Sequence, residues 1–144
     1  MNLTKDRFFI DTNIIVYMFD RKENKKRERA IDITRKALES GKGIISYQVI
    51  QEFCNVALRK FETPLSIIEC KTFITRFLYP MCDIFPGFEL YNESLRIHDE
   101  TGYSFYDSLI IASAVKGGCE MILSEDLHNK HVIRNELCIK NPFI

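Results

Sequence analysis

The feature that most narrows the folds open to this chain is its alternation. Short apolar runs recur from end to end, and each is followed by a longer stretch with helical periodicity. The runs read as strands over residues 7–10, 43–46, 81–85, 120–124 and 137–140. Helical patterns fill 25–40, 47–60, 64–79, 88–100 and 105–116. Strands separated by helices pair in parallel, and a parallel sheet needs helices on both faces. The expected fold is therefore α/β and three-layered, with a central, mostly parallel five-stranded sheet flanked by helices. In the third helix, Ile67, Cys70, Ile74 and Phe77 mark the expected buried stripe, with Pro64 opening it. Ser46 stands as N-cap of the helix over 47–60, and Gly41 and Gly117-Gly118 stop two others.

Length and charge set outer limits. The 144 residues fit one domain, 1–144, and 46% hydrophobic with 28% charged residues is ordinary for a soluble globular protein. Formal net charge is zero, so no global positive field gathers nucleic acid, and any such binding needs a local patch. The longest apolar run, 14–19, is far too short to span a membrane. The N-terminus has no signal-peptide layout. Five cysteines without a Cys-x-x-Cys pair argue against a disulfide framework and a structural zinc site. Reduced thiols imply a cytoplasmic location, and His128 and His131 read as surface histidines rather than a metal pair.

Four acids stand where acids are unusual. Asp11 separates two strongly apolar segments, and burying it unpaired is costly. Asp126 follows the fourth strand in Ser124-Glu125-Asp126. Glu52 sits at the edge of the stripe formed by Val49, Ile50, Phe53, Val56 and Ala57. Asp107 occupies the first turn of a helix apolar nearly all round. Taken singly, Asp11, Asp107 and Asp126 are also explained as helix or turn caps, and Ser104-x-x-Asp107 is a capping-box variant. Together they gather at one end of the expected sheet, beyond the carboxyl ends of its strands. Like charges about 4 Å apart repel by roughly 4 kcal/mol at an effective dielectric near 20. Such a cluster needs protons or a cation, and an all-oxygen set without His or Cys suits Mg²⁺ or Mn²⁺.

These residues resemble a known family, the PIN domain, and within it the VapC-like toxins of toxin–antitoxin pairs. The resemblance rests on Phe9-Ile10-Asp11-Thr12-Asn13-Ile14, on Ser46 to Phe53 around Glu52, and on Ser104-Phe105-Tyr106-Asp107 with its apolar helix. It continues through Gly117-Gly118-Cys119 to Ser124-Glu125-Asp126 and closes on Asn141-Pro142-Phe143. It implies a PIN-like fold and Mg²⁺- or Mn²⁺-dependent endoribonuclease activity on structured RNA such as tRNA or rRNA. Asp11, Glu52, Asp107 and Asp126 match the family's acidic site, with Asp11 and Asp107 as the most regular metal ligands. Thr12, Asn13 and Ser124 match its polar helpers. It further implies a cognate antitoxin lying across helices near the N-terminal half, for which the apolar residues of the helix over 64–79 are suited; a homodimer is the expected assembly. One departure stands out: the family often carries Gly shortly after the last acidic motif, where this chain has Asn129-Lys130.

For holding RNA, residues 21–29 carry six basic side chains in nine. Lys25, Lys26 and Arg27 are the candidate phosphate contacts, against a reading as a solvated helical face paired with Glu23 and Glu28. Tyr17, Tyr47 and Tyr103 are candidates for stacking on unpaired bases. A haloacid-dehalogenase-type phosphatase also places Asp after its first strand, but needs a second aspartate where Asn13 stands. The remaining alternatives are a housekeeping PIN-domain RNA-processing nuclease and a catalytically silent PIN-like binding module.

Overall fold

Phe8, Phe9 and Ile10 form β1 (Phe8–Ile10) and are buried on both faces, as befits a strand covered from two sides. It lies inside a six-stranded sheet of order β3-β2-β1-β4-β6-β5. The others are β2 (Gly43–Ser46), β3 (Cys82–Ile84), β4 (Met121–Leu123), β5 (Val132–Ile133) and β6 (Leu137–Lys140). Every pairing is parallel except β5 with β6. The structure is a computed structural model describing residues 6–144; the N-terminal reading of Met1 to Lys5 lies outside them.

The helices are α1 (Thr12–Tyr17), α2 (Asn24–Ser40), α3 (Tyr47–Arg59), α4 (Ile67–Phe73), α5 (Phe88–Thr101) and α6 (Phe105–Lys116). Two adjacent β2 residues show how they layer. A Cβ on Gly43 would fall 2.2 Å from the Ala37 Cβ, so α2 lies against the strand there. The next side chain, Ile44, reaches Gly117, where an added Cβ would come within 2.3 Å of its Cδ1. Successive strand residues point to opposite faces, so α2 covers one face and the end of α6 the other. That is the three-layer arrangement expected from the alternation. No helix of the described residues is long and apolar enough to cross a membrane.

The differences from expectation are local. A sixth strand, β5, folds back on β6 through Arg134 and Asn135, both at positive φ (52° and 58°). That is the hairpin geometry in which Asn is favoured, but two residues are too few to show a period. The third helix starts at Ile67, not Pro64. Ser66 is its N-cap, in a reciprocal capping box with Glu69. A π-helical stretch (Ile74–Leu78) and a 3-10 turn (Tyr79–Met81) then follow α4. Cys70, Phe73 and Leu78 face the core, while Ile67, the first residue of α4, and Phe77 are exposed; the wider π turn shifts the phase from Ile74 onward. Ser46 occupies the N-cap position of α3, but its hydroxyl makes no capping bond and is buried without a partner.

From β1 the chain steps outward through β2 to β3, then returns to β1's other side as β4. Sheets of this kind open a crevice where the winding reverses, beyond the carboxyl ends of the strands. Here that place is beyond Ile10 and Leu123, which pair in register.

Candidate acidic site at the switch point

Asp11 follows Ile10 directly, and its backbone N–H donates to the Leu123 carbonyl at 3.0 Å, tying the ends of β1 and β4 together. Its side chain both caps and reaches further. Oδ1 accepts from the Thr12 N–H (2.7 Å), which makes Asp11 the N-cap of α1. Oδ2 accepts from the Ser124 hydroxyl (2.7 Å) and the Asn13 amide (3.3 Å). Only 8% of Asp11 is exposed, and burial pushes its carboxyl from 3.8 to about 6. The hydrogen bonds from Ser124 and Thr12 pull the other way, and the charges of Glu52 and Asp126 add to the rise.

Three neutral side chains link the acids. Thr12 Oγ1 donates to Glu52 Oε1 at 3.0 Å, bringing α3 to the end of β1. Asn13 Nδ2 donates to Asp126 Oδ2 at 3.1 Å as well as to Asp11, while its Oδ1 accepts the Glu125 N–H at 3.1 Å. Ser124, fully buried, accepts the N–H groups of Asp126 and Leu127 and so shapes the turn after β4. Cap and site are thus not rivals here: the one carboxylate of Asp11 starts a helix and anchors the network.

Asp107 joins from α6. Ser104 caps that helix by accepting the Asp107 N–H (3.2 Å), and no hydrogen bond to the Asp107 carboxylate forms among the described residues. The capping box foreseen for Ser104-x-x-Asp107 is therefore half made, and the acid is left free. Its charge reaches Glu52, which stands on the exposed side of α3. Burial of the Glu52 head group raises its carboxyl, the Thr12 hydrogen bond opposes this, and Asp107 adds to the rise.

Asp11 feels the charges of Glu52 and Asp126, and Glu52 those of Asp107 and Asp126, yet the four do not close into a ready-made cage. Among the described residues no three His, Cys, Asp or Glu side chains are grouped to hold one ion. The separations are those set by Thr12, Asn13 and Ser124 between the acids. The donor set is all oxygen, which suits a hard cation such as Mg²⁺ or Mn²⁺, an ion that keeps several waters and takes only one or two carboxylates. His128 is exposed and His131 half-buried, with their ring centroids 6.4 Å apart.

The basic segment divides. Lys26 turns inward: its Nζ meets Glu125 Oε2 at 2.7 Å and lies over the rings of Tyr17 and Phe143. Tyr17 gives its own hydroxyl to Glu125 Oε1 (2.5 Å). Lys26 and Tyr17 are thus engaged with the protein, and Glu125, through its backbone bond to Asn13, connects them to the site. Lys25 remains exposed at the start of α2. Arg27 instead lines a groove of about 520 Å³ with Phe19, Arg21, Phe61 and Leu65, a groove that contains none of the four acids. Tyr47 bonds Tyr91 (3.3 Å). Sequence reasoning missed Glu125 and Phe143; only the partner 99 positions away makes Glu125 legible.

The loop after Asp126 accounts for the departure noted at Asn129-Lys130. Lys130 has φ 69°, the left-handed region that glycine adopts freely. The loop keeps the conformation a glycine would take and carries the strain instead.

Among solved structures, the VapC20 toxin of Mycobacterium tuberculosis, described as cleaving the sarcin–ricin loop, is similar to this chain with a TM-score of 0.55 and 20% identity, covering 83% of this chain and 91% of its own. No curated protein matches the chain. The PIN domain model matches residues 8–134, a span that holds all four acids and their three polar helpers. The chain belongs to the PIN domain family.

Proposed function

We propose that this protein is a metal-dependent endoribonuclease, with Asp11, Glu52, Asp107 and Asp126 as its acidic centre. The observation that carries the reading is the network of Thr12, Asn13 and Ser124. These side chains fix carboxylates from β1, α3 and the turn after β4 at one switch point, with the free carboxylate of Asp107 beside them. Asp11 and Asp107 would hold the ion, Asp11 in a set orientation and Asp107 with both oxygens available. A bound Mg²⁺ or Mn²⁺ supplies charge neutralisation at the scissile phosphate and makes a coordinated water more acidic. Glu52, oriented by Thr12 and with its carboxyl raised, would accept a proton from attacking water. Asn13 and Ser124 keep Asp11 and Asp126 from drifting apart under their mutual repulsion.

The biological role we infer is that of a toxin, acting in the cytoplasm on a structured RNA. The likeness to VapC20 supports this. A cognate antitoxin segment has apolar seats in Ile67 and Ile68 of α4, which are 60% and 76% exposed. The stripe of Phe88, Tyr91 and Leu95 on α5 is exposed in the same way and suits a homodimer contact. The test is expression of the chain alone and of its Asp11→Asn and Asp107→Asn variants, with RNA cleavage sites mapped. Growth arrest and cleavage that disappear in both variants are expected. Cleavage at the parental rate by either folded variant overturns the assignment.

A further inference from the structure

Three rings close together, one of them the stacking candidate Tyr103, have no part in the chemistry proposed for the acids. Tyr103 lies just before the Ser104 cap of α6, and the charge of Asp107 acts on its phenol. Its hydroxyl meets His131 Nδ1 at 2.9 Å and accepts the His128 N–H at 3.3 Å. The ring centroids of Tyr103 and His128 are 5.4 Å apart, and those of Tyr103 and His131 are 5.7 Å apart. His128 itself is exposed, two residues beyond Asp126. Tyr103 thus adjoins the start of α6, which carries Asp107, and His128 follows the turn that carries Asp126.

Their mounting is stiff. The Lys130 N–H donates to the Ile139 carbonyl (2.8 Å), the Ile139 N–H to the His131 carbonyl (2.9 Å), and the His131 N–H to the His128 carbonyl (3.2 Å). The Asn129 side chain accepts the Asn141 N–H at 2.8 Å. On the other side, the Tyr103 carbonyl contacts His98 Nδ1 at 2.5 Å and accepts from the Ser108 hydroxyl. A left-handed lysine held in this loop is strain of the kind found where a side chain must be aimed.

We propose that His128, backed by Tyr103 and His131, is a stacking shelf for an unpaired nucleobase next to the scissile phosphate, and so a determinant of which nucleotide the site accepts. The inference rests on the ribonuclease reading above. Asp107, whose charge acts on the Tyr103 phenol, disfavours a bare phosphate against the rings and leaves an uncharged base as the fitting occupant. Imidazole and phenol rings are among the side chains on which splayed-out RNA bases stack. A base can reach the shelf only where it is not paired, which selects loops and bulges over duplex.

The test uses the whole chain carrying Asp11→Asn, which stops cleavage, and an RNA hairpin with 2-aminopurine at each loop position in turn. At one position the parent is expected to quench the fluorescence, and an abasic residue there to weaken binding. Adding His128→Ala should remove the quenching and weaken binding by roughly tenfold, whereas His128→Phe, which keeps a ring, should retain both. Equal binding by His128→Ala and the parent, or loss in His128→Phe equal to that in His128→Ala, overturns the shelf alone. Failure of the parent to bind any RNA overturns the shelf, and overturns the ribonuclease reading with it where the unsubstituted chain also cleaves none.

Discussion

Replacing Asp11 by Asn should make the metal-free protein more stable at alkaline pH, although it removes the central acid of the site. Burial raises the Asp11 carboxyl from 3.8 to about 6 in the folded chain. The native state therefore holds this proton more tightly than the unfolded chain does. Between those two values the native state binds more protons, so the stability contributed by Asp11 falls as pH rises. Below 3.8 the carboxyl is protonated in both states and nothing is lost; above about 6 the loss is complete. Its size is about 3 kcal/mol, at about 1.4 kcal/mol per tenfold change in proton affinity.

Asparagine carries no charge and caps a helix as well as aspartate, so the Thr12 contact survives. It turns an N–H₂ toward Ser124 and Asn13, where one carboxylate oxygen accepted from both, and losing two such bonds costs about 2 kcal/mol. The net gain is about 1 kcal/mol at pH 8, or about 3 °C in Tm for a chain of this size. At pH 3.5 the variant should be no more stable than the parent. Thermal unfolding in chelator at the two pH values measures both. Added Mg²⁺ should then raise the parent's Tm at pH 8, since a ligand that binds only the native state stabilises it, and should leave the variant's unchanged. A variant equally destabilised at both pH values would refute the reasoning, because it would show a lost contact and no charge effect.

Other outcomes follow from single residues. Asn13→Ala cuts the link between Asp11 and Asp126 and should weaken Mn²⁺ binding by about 10–100-fold, as loss of a ligand-orienting partner does; calorimetry on the folded variant reads it. Lys130→Gly relieves the left-handed lysine and should raise stability by about 1 kcal/mol in urea unfolding. Gly43→Ala sets a Cβ 2.2 Å from that of Ala37 and should destabilise by about 1–3 kcal/mol, read as a lower unfolding midpoint. Lys25→Glu should weaken RNA binding at low salt and lower its salt dependence. Lys26→Met should act mainly on stability, because its ammonium is already bound to Glu125.

The layering and all five long-range strands were legible because they depend on period and length, which a sequence displays directly. So were the acids, since an aspartate between Ile10 and Ile14 is conspicuous. What stayed hidden was partnership across distance. Lys26 looks like any other base in its segment until Glu125, 99 positions on, claims it. The helix after Pro64 hid its register in a π turn, which no 3.6-residue stripe can anticipate. Tyr103, His128 and His131 are unremarkable apart from one another, and the loop that joins them departs from the glycine that would have marked its shape.

The pairing of Phe8 with Met121 also fixes when the acidic centre comes into being. Contacts this far apart in sequence form late, after the entropy of closing the intervening loop has been overcome. While the chain is being synthesised, β1 can pair with β2 early, but its other edge stays open until β4 emerges. Ser124, Asp126 and the Asn13 bonds that hold them arrive with that same segment. A chain still on the ribosome is thus without an assembled centre until β4 and the turn that follows it have emerged.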